Sequence, residues 1–339
     1  MSAEQKPICV VIDANIWRQN SSLLLRTPMG SALLYILRQS SGYIGLPEII
    51  EEELIKHTLK SGLEAVGNIN KEFKTIEAIM GSSHYTVPDK AKLEAVIKER
   101  LTDLDDLFIR VPFTLEHARL ALRRVVEGTP PNGLKNQQFK DSAIWEAILT
   151  LSDSYTIYFI SEDSGFFRGD KKTEKLANNL LDECKKKGAK VYIYNNMASC
   201  IKALQEDVPP LDYSNLILKI DELINTQLRQ GLLDDSQCIF EITELVTKKS
   251  SVCPFLTENN KKLALSFQLS YSCNDVYNDS GDKMKDAILI TKGNCLYELA
   301  TEIFSDITID FEEIEWTDPS GERRRRRILE AALIGSSNS

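Results

Sequence analysis

Side chains that hold soft metals are scarce in this sequence. Its 339 residues include three histidines (His57, His84 and His117), none spaced to share an ion. The seven cysteines (9, 184, 200, 238, 253, 273 and 295) are dispersed, odd in number and never form C-x-x-C. That pattern speaks against a thiolate zinc site and a disulfide framework, and for reduced thiols in a cytoplasm. No apolar run approaches the ~20 residues that span a bilayer. The polar start, Met1 to Lys6, leads straight into Ile8–Ile12 without the layout of a signal peptide. No internal repeat is visible. The expectation is a cytoplasmic globular protein with no membrane partner.

The length suits two domains. The net charge of −9 looks wrong for a nucleic-acid enzyme, but it hides a split. Residues 1–204 carry 27 Lys and Arg against 26 Asp and Glu, whereas residues 205–339 carry 14 against 24. Five of those 14 form the single run Arg323–Arg327. A nearly neutral front half thus joins an acidic back half that ends in a basic patch.

Ile8-Cys-Val-Val-Ile12 is a short apolar run of the kind buried on both faces of a parallel sheet. A helix is expected over about Met29 to Gln39, a strand over Gly42 to Leu46, and a helix opened by Pro47. Residues 60–135 read as a helical insertion. Apolar residues recur at steps of three and four from Leu93 to Phe108 and from Leu115 to Val126, with Thr114 as N-cap and Gly128 as stop. Helix returns from Asp141 to Leu151, Thr156–Ile160 is a strand, and a Lys-rich helix over about Lys172 to Lys187 precedes the strand Lys190–Tyr194. Strands alternating with helices imply a parallel sheet covered on both faces.

Pro209-Pro210 marks a boundary, giving domains of 1–204 and 211–339. Beyond it, Leu216 to Leu228 form an amphipathic helix. Leu263, Leu265, Phe267, Leu269 and Tyr271 then alternate at period two, as do Ile307, Ile309 and Phe311 before a bulge shifts the register toward Ile314 and Trp316. The back half is therefore expected to be an α+β domain with an antiparallel sheet.

Ligands of open parallel sheets bind outside the carboxyl ends of the strands. Asp13 directly follows one expected strand and Asp163 follows another by three residues; Asp141 starts a helix, and Glu53 lies one to two turns inside the helix after Pro47. Four carboxylates converging at one edge repel one another unless a cation neutralises them. Hard oxygen donors suit Mg²⁺ or Mn²⁺, which can activate water and stabilise an in-line phosphoryl displacement.

These residues resemble a known family. Val11-Ile-Asp-Ala-Asn-Ile16 looks like the opening motif of PIN domains, and Leu46-Pro-Glu-Ile-Ile-Glu-Glu-Glu-Leu54 like the second, whose spacing selects Glu53 over Glu51 and Glu52. Phe139-Lys-Asp-Ser-Ala-Ile-Trp145 is similar to the third motif of a bacterial PIN subgroup. Phe159-Ile-Ser-Glu-Asp163 with Phe166-Phe167 resembles the fourth, with Ser161 where Thr is usual. The likeness covers roughly residues 7–200. It implies an α/β fold, a three-layer α/β/α PIN-like domain, and metal-dependent hydrolysis of RNA. Asp13, Glu53, Asp141 and Asp163 would be catalytic metal ligands for Mg²⁺ or Mn²⁺, with Asn15 and Ser161 orienting them. Lys140, Arg168, Lys171 and Lys172 flank the last two motifs as candidate phosphate contacts.

The resemblance also implies an endoribonuclease, in the manner of bacterial toxins and anti-phage effectors, with a regulatory protein partner as a role for the C-terminal domain. A structure-specific DNA nuclease and a non-catalytic RNA- or protein-binding scaffold are the alternatives. Each acid has a plainer reading as a turn former, an N-cap or part of a solvated helix face. Trp145 reads as core rather than as a stacking platform. The Arg323–Arg327 run reads equally as a nucleic-acid arm, a partner for the acids of its own domain, or a solvated stretch on a sheet edge or before a terminal helix.

Overall fold

The computed structural model describes residues 6–81, 85–132, 138–169, 173–205, 208–234, 241–274, 285–318, 320–329 and 332–334. The chain forms two compact units, one of Met1–Arg18, Ser22–Leu24 and Leu37–Ala203, the other of Gln19–Ser21, Leu25–Ile36 and Leu204–Ser339. Among the described residues no helix is long and apolar enough to cross a membrane.

The first unit is built on a five-stranded parallel sheet of order β3-β2-β1-β4-β5. Its strands are β1 (Ile8–Ile12), β2 (Tyr43–Pro47), β3 (Phe108–Val111), β4 (Thr156–Ile160) and β5 (Val191–Tyr194). The continuous apolar runs of β1 and β4 suit the centre of such a sheet: Cys9 to Ile12, Ile157, Phe159 and Ile160 are all buried. The helices as far as Leu204 are, in chain order, α1 (Ala14–Trp17), α2 (Pro28–Gln39, of which residues 28–36 belong to the second unit), α3 (Glu48–Met80), α4 (Lys90–Asp103), α5 (Leu115–Glu127), α6 (Phe139–Leu151), α7 (Asn178–Lys187) and α8 (Met197–Leu204). Thr114 caps α5, its side chain accepting from His117 N, and Gly128 ends the helix in the left-handed conformation.

Two expectations are corrected. The 60–135 segment is not wholly helical. The helix after Pro47 runs on to Met80, and the repeat read as reaching Phe108 breaks at Leu104. A 3₁₀ turn over Asp105–Leu107 follows, and Phe108–Val111 becomes an edge strand paired with Ile44–Pro47. The apolar residue at Phe108 continued the helical spacing by coincidence, because it opens a strand in which Phe108 and Val111 are buried and Arg110 is exposed. The Lys-rich helix begins at Asn178 rather than near Lys172, since Phe167 and Leu176 first form an antiparallel bridge.

Helix α6 is buried on nearly every side from Ser142 to Ile148. It is fixed by a polar tie. Arg124 of α5 donates Nε to Glu146 Oε1 at 2.6 Å and both terminal nitrogens to Glu183 of α7, at 2.8 and 2.6 Å. Trp145 Nε1 donates to Glu183 Oε2 at 3.0 Å, so this Trp is core, as its complete burial requires.

The second unit carries α9 (Tyr213–Asp234) and an antiparallel sheet of β6 (Glu241–Leu245), β7 (Ser251–Leu256), β8 (Lys262–Asn274), β9 (Lys285–Glu298), β10 (Phe304–Thr317), β11 (Arg323–Leu329) and β12 (Ala332–Ile334). Leu216, Ile220, Ile224 and Leu228 of α9 share a core with Leu263, Leu265, Phe267, Leu269 and Tyr271 of β8. The bulge comes earlier than expected, before Phe311 rather than after it. Ile309 pairs with Gly293 and Phe311 with Lys292, so the shift falls at Asp310, whose carboxylate accepts from Asn294 Nδ2 at 3.3 Å, and Ile314 comes opposite Leu289. The arginine run is an edge strand. Arg327 and Arg325 face Glu313 and Glu315 across the ladder, Arg323 pairs with Glu315 at 3.5 Å, and Arg324 pairs with Asp318 and Glu322. A charged edge of this kind resists pairing with another chain.

Because Arg124 compensates two largely buried glutamates, Arg124→Ala should cost about 3 kcal/mol in urea unfolding. Adding Glu146→Gln and Glu183→Gln should recover most of that loss; a single-variant loss below about 1 kcal/mol would show the tie to be a surface pair.

Candidate active site

Strands β1 and β4 pair in parallel from Ile8↔Thr156 to Ile12↔Ile160, so both end at one level. The next residues lie at the carboxyl edge. Asp13 N donates to Ile160 O at 2.9 Å, and Ser161 N to Tyr194 O at 3.0 Å. Ser161, fully buried, donates Oγ to Asp13 Oδ2 at 2.5 Å and accepts from Asp163 N at 3.0 Å. One hydroxyl thus ties the two strand-end acids together. Asp163 Oδ1 accepts from Gly165 N at 2.6 Å, which makes it a turn former as well. Gly165 leaves no room for a side chain: a Cβ there would lie 2.2 Å from Pro131 O. Phe166 and Phe167 pin that turn to the core, Phe166 meeting Phe159 edge to face at 4.9 Å.

The other two acids come from helices. Asp141 is the third residue of α6, whose N-cap is Gln138, so the N-cap reading of Asp141 is wrong. Of the three consecutive glutamates of α3, Glu51 goes to Arg110 at 3.1 Å, Glu52 is exposed, and Glu53 pairs with Lys140.

Asp13 and Asp141 each feel the charge of the other acids. Burial raises Asp13 to about 6, against the lowering effect of its bonds from Ser161 and Ala14, and repulsion from Asp163 and Glu53 adds to the rise. Burial raises Asp141 to about 7, helped by Asp163, Asp13 and Glu53. Among the described residues no three acid, imidazole or thiolate side chains are arranged to hold an ion as they stand. Asp13, Glu53 and Asp163 each place an oxygen on Ser161, Lys140 or Gln138. The donor set nevertheless fits a hard divalent cation: four converging carboxylates, two of them too poorly solvated to ionise easily, and a neighbouring Asn15 Oδ1 that is buried with no hydrogen-bond partner. Asn15 was expected to orient the acids; no bond joins it to them, and its free oxygen faces no donor.

Of the expected phosphate contacts, Lys140 reaches the site through Glu53 and Arg168 is exposed, while Lys171 and Lys172 lie outside the described residues. Sequence reasoning missed Gln138, whose Nε2 donates to Asp163 Oδ2 at 3.0 Å and whose backbone N is held by Asn132 Oδ1 at 2.7 Å. It also missed Arg18, Lys56 and His57. Burial lowers the His57 pKa first, then Arg18, with Lys56 and Lys140 adding to the fall and Glu53 opposing it. Arg18, Lys56 and Lys140 therefore act on His57, one turn beyond Glu53, and Lys140 pairs with Glu53 itself. Lys56 and His57 stand three and four residues beyond Glu53 on the same helix, which is the signal that reveals them.

The raised acids fix the sign of a pH effect. Their folded values exceed the ordinary carboxylate range, so the stability they contribute is complete only below the unfolded value of about 4 and is lost as pH rises from there to about 6 for Asp13 and about 7 for Asp141. In chelator, Asp141→Asn should therefore raise the melting temperature most at about pH 8, less at about pH 5, and change it little at about pH 4. Ser161→Ala should cost any activity of the site about 10- to 100-fold, with Ser161→Thr restoring it. A melting curve indifferent to pH in both chains would refute the first expectation, and an unaffected Ser161→Ala the second.

Residues 10–166 match a protein-family model described as PIN domain. No curated protein and no solved structure matches the chain. With the parallel sheet and the carboxyl-edge acids in place, the N-terminal part of this chain is a PIN domain, of a family whose members are generally metal-dependent nucleases.

Proposed function

We propose that the protein is an endoribonuclease that hydrolyses RNA phosphodiester bonds with Mg²⁺ or Mn²⁺. The observation that carries this reading is the convergence of Asp13, Glu53, Asp141 and Asp163 beside a cationic rim of Arg18, Lys56 and Lys140. Acids alone would repel a phosphodiester, and cations alone would only bind it.

Asp13, Glu53, Asp141 and Asp163 would hold the divalent cation, directly or through water, with Asn15 Oδ1 as a further oxygen at hand. When bound, such an ion supplies an activated water and charge stabilisation at the phosphoryl oxygens. The chain supplies orientation. Ser161 fixes one oxygen of Asp13. Gly165 N and Gln138 hold Asp163 from two sides. The tie through Arg124 and Glu183 sets the depth of α6 and with it Asp141. The rim cations would draw the sugar–phosphate backbone toward the acids. For the second unit we propose target choice or regulation through a protein partner, since its arginines are largely matched by its own acids.

The test is cleavage of single-stranded and structured RNA and DNA with Mn²⁺, Mg²⁺ or chelator. Asp13→Asn and Asp163→Asn should each lower metal-dependent RNA cleavage by at least about 100-fold while unfolding cooperatively. Cleavage of DNA alone would replace RNA as the substrate, and activity surviving both substitutions would remove the carboxylate site.

A further inference from the structure

The turn that starts α6 meets the acid cluster at three points within four residues. Gln138 bonds Asp163, Lys140 pairs with Glu53, and Asp141 is itself one of the acids. The backbone there is fixed from behind. Asn132, which is buried, accepts from Gln138 N and donates Nδ2 to Ser142 Oγ at 2.6 Å, and Ser142 Oγ donates to Gln138 O at 3.0 Å. The anchor is rigid, but the Lys140 side chain is 64 % exposed, against 20 % for Glu53. Its ammonium therefore approaches Glu53 from the solvent side, where a nucleic-acid phosphate would also arrive.

A lysine here has properties that an arginine would lack: a compact charge on a flexible stem, with donors that rotate to a new acceptor. An ion pair this exposed shifts an equilibrium by only about two- to five-fold, so it yields readily to a stronger partner. Glu53 cannot give the same oxygen fully to an ammonium and to a divalent cation. We propose that Lys140 is an internal counter-ion of Glu53, in competition with the divalent cation for that carboxylate, and that once displaced it serves as the contact for the substrate phosphate. Cation loading would thereby couple to phosphate capture through one side chain. This rests on the nuclease reading of the same site.

The experiment is a calorimetric titration of the full chain with Mn²⁺ at neutral pH. It compares wild type, Lys140→Met, Lys140→Arg, Asp13→Asn, Glu53→Gln and Glu53→Gln/Lys140→Met, each first checked for cooperative thermal unfolding. Lys140→Met should bind Mn²⁺ about two- to five-fold tighter than wild type. Lys140→Arg, which keeps the charge and grips a carboxylate with two donors, should show no tightening, and the effect should vanish in the Glu53→Gln background because the competition runs through that carboxylate. The KM for RNA should rise in Lys140→Met, opposite to the gain in Mn²⁺ affinity, a split that a merely structural lysine would not produce. Unchanged or weaker Mn²⁺ binding in Lys140→Met, or equal tightening without Glu53, would overturn the proposal alone, provided Asp13→Asn abolishes binding. A wild-type chain that takes up no Mn²⁺, or binds it regardless of Asp13→Asn, would overturn the carboxylate site and this inference with it.

Discussion

The pairing of β1 with β4 is the constraint on which the site depends. Five residues on each strand, all apolar except Thr156 and the Tyr158 hydroxyl, lie in register from Ile8↔Thr156 to Ile12↔Ile160, nearly all of them buried. Because the strands run parallel, their carboxyl ends coincide, and the first polar residues after each are forced to one edge. That brings Asp13 and Ser161, 148 positions apart in the chain, to a hydrogen bond of 2.5 Å. A slip of one residue would turn every buried side chain of β1 to the opposite face and carry Asp13 off the edge with them. Hydrophobic register, which is a matter of packing, thus sets the geometry of a polar site.

A strand edge supplies only two acids, and the others depend on helix placement. Helix α6 cannot be located by an amphipathic stripe, since it is apolar nearly all round and buried accordingly. Its position is specified instead by polar groups that accept one arrangement. Arg124 must meet Glu146 and Glu183, and the Trp145 indole must meet Glu183. Buried ion pairs of this kind add little net stability over apolar residues of equal volume, so their value here lies in fixing which way α6 faces. At its other end, Asn132 and Ser142 hold the first turn, and a bare Gly165 allows Pro131 to close against the Asp163 turn.

Much of this was legible in the residues, for physical reasons that differ by element. The runs Ile8–Ile12 and Thr156–Ile160 could be read as central strands because burial on both faces demands uninterrupted apolar sequence. That β10 carries a bulge was legible from the change of phase in its alternating pattern, but its position was not: the shift falls before Phe311, which the apolar spacing had joined to Ile307 and Ile309. Phe108–Val111 was not, because a four-residue edge strand following a helix can continue its apolar spacing by chance. For the site, acids adjoining strand ends could be named from sequence. Gln138 and Arg18 could not, because their approach depends on how loops close, which carries no period. The basic run at Arg323–Arg327 looked like a ligand arm until its ladder partners were known. Opposed glutamates two residues apart are invisible without the register.

The comparison with Glu312 shows why convergence, rather than a perturbed acid, marks the site. Glu312 is buried on the inner face of the second sheet, directly opposite Thr291, and its carboxyl is pushed up to about 7 by burial alone. A buried acid with no like charge beside it can simply stay protonated; it needs no ion and implies no chemistry. Asp13 and Asp141 reach similar values, but part of their rise comes from one another's neighbours, Asp163 and Glu53. Repulsion among four carboxyls is a cost that protonation relieves only by removing ligands, whereas a cation relieves it while keeping them. The cost is incurred at the carboxyl edge of the sheet, where Ser161, Gln138, Gly165 N and Lys140 all hold the acids in place instead of letting them turn to solvent. Donors that keep like charges together in this way are what the proposed sharing of one cation among these acids would call for.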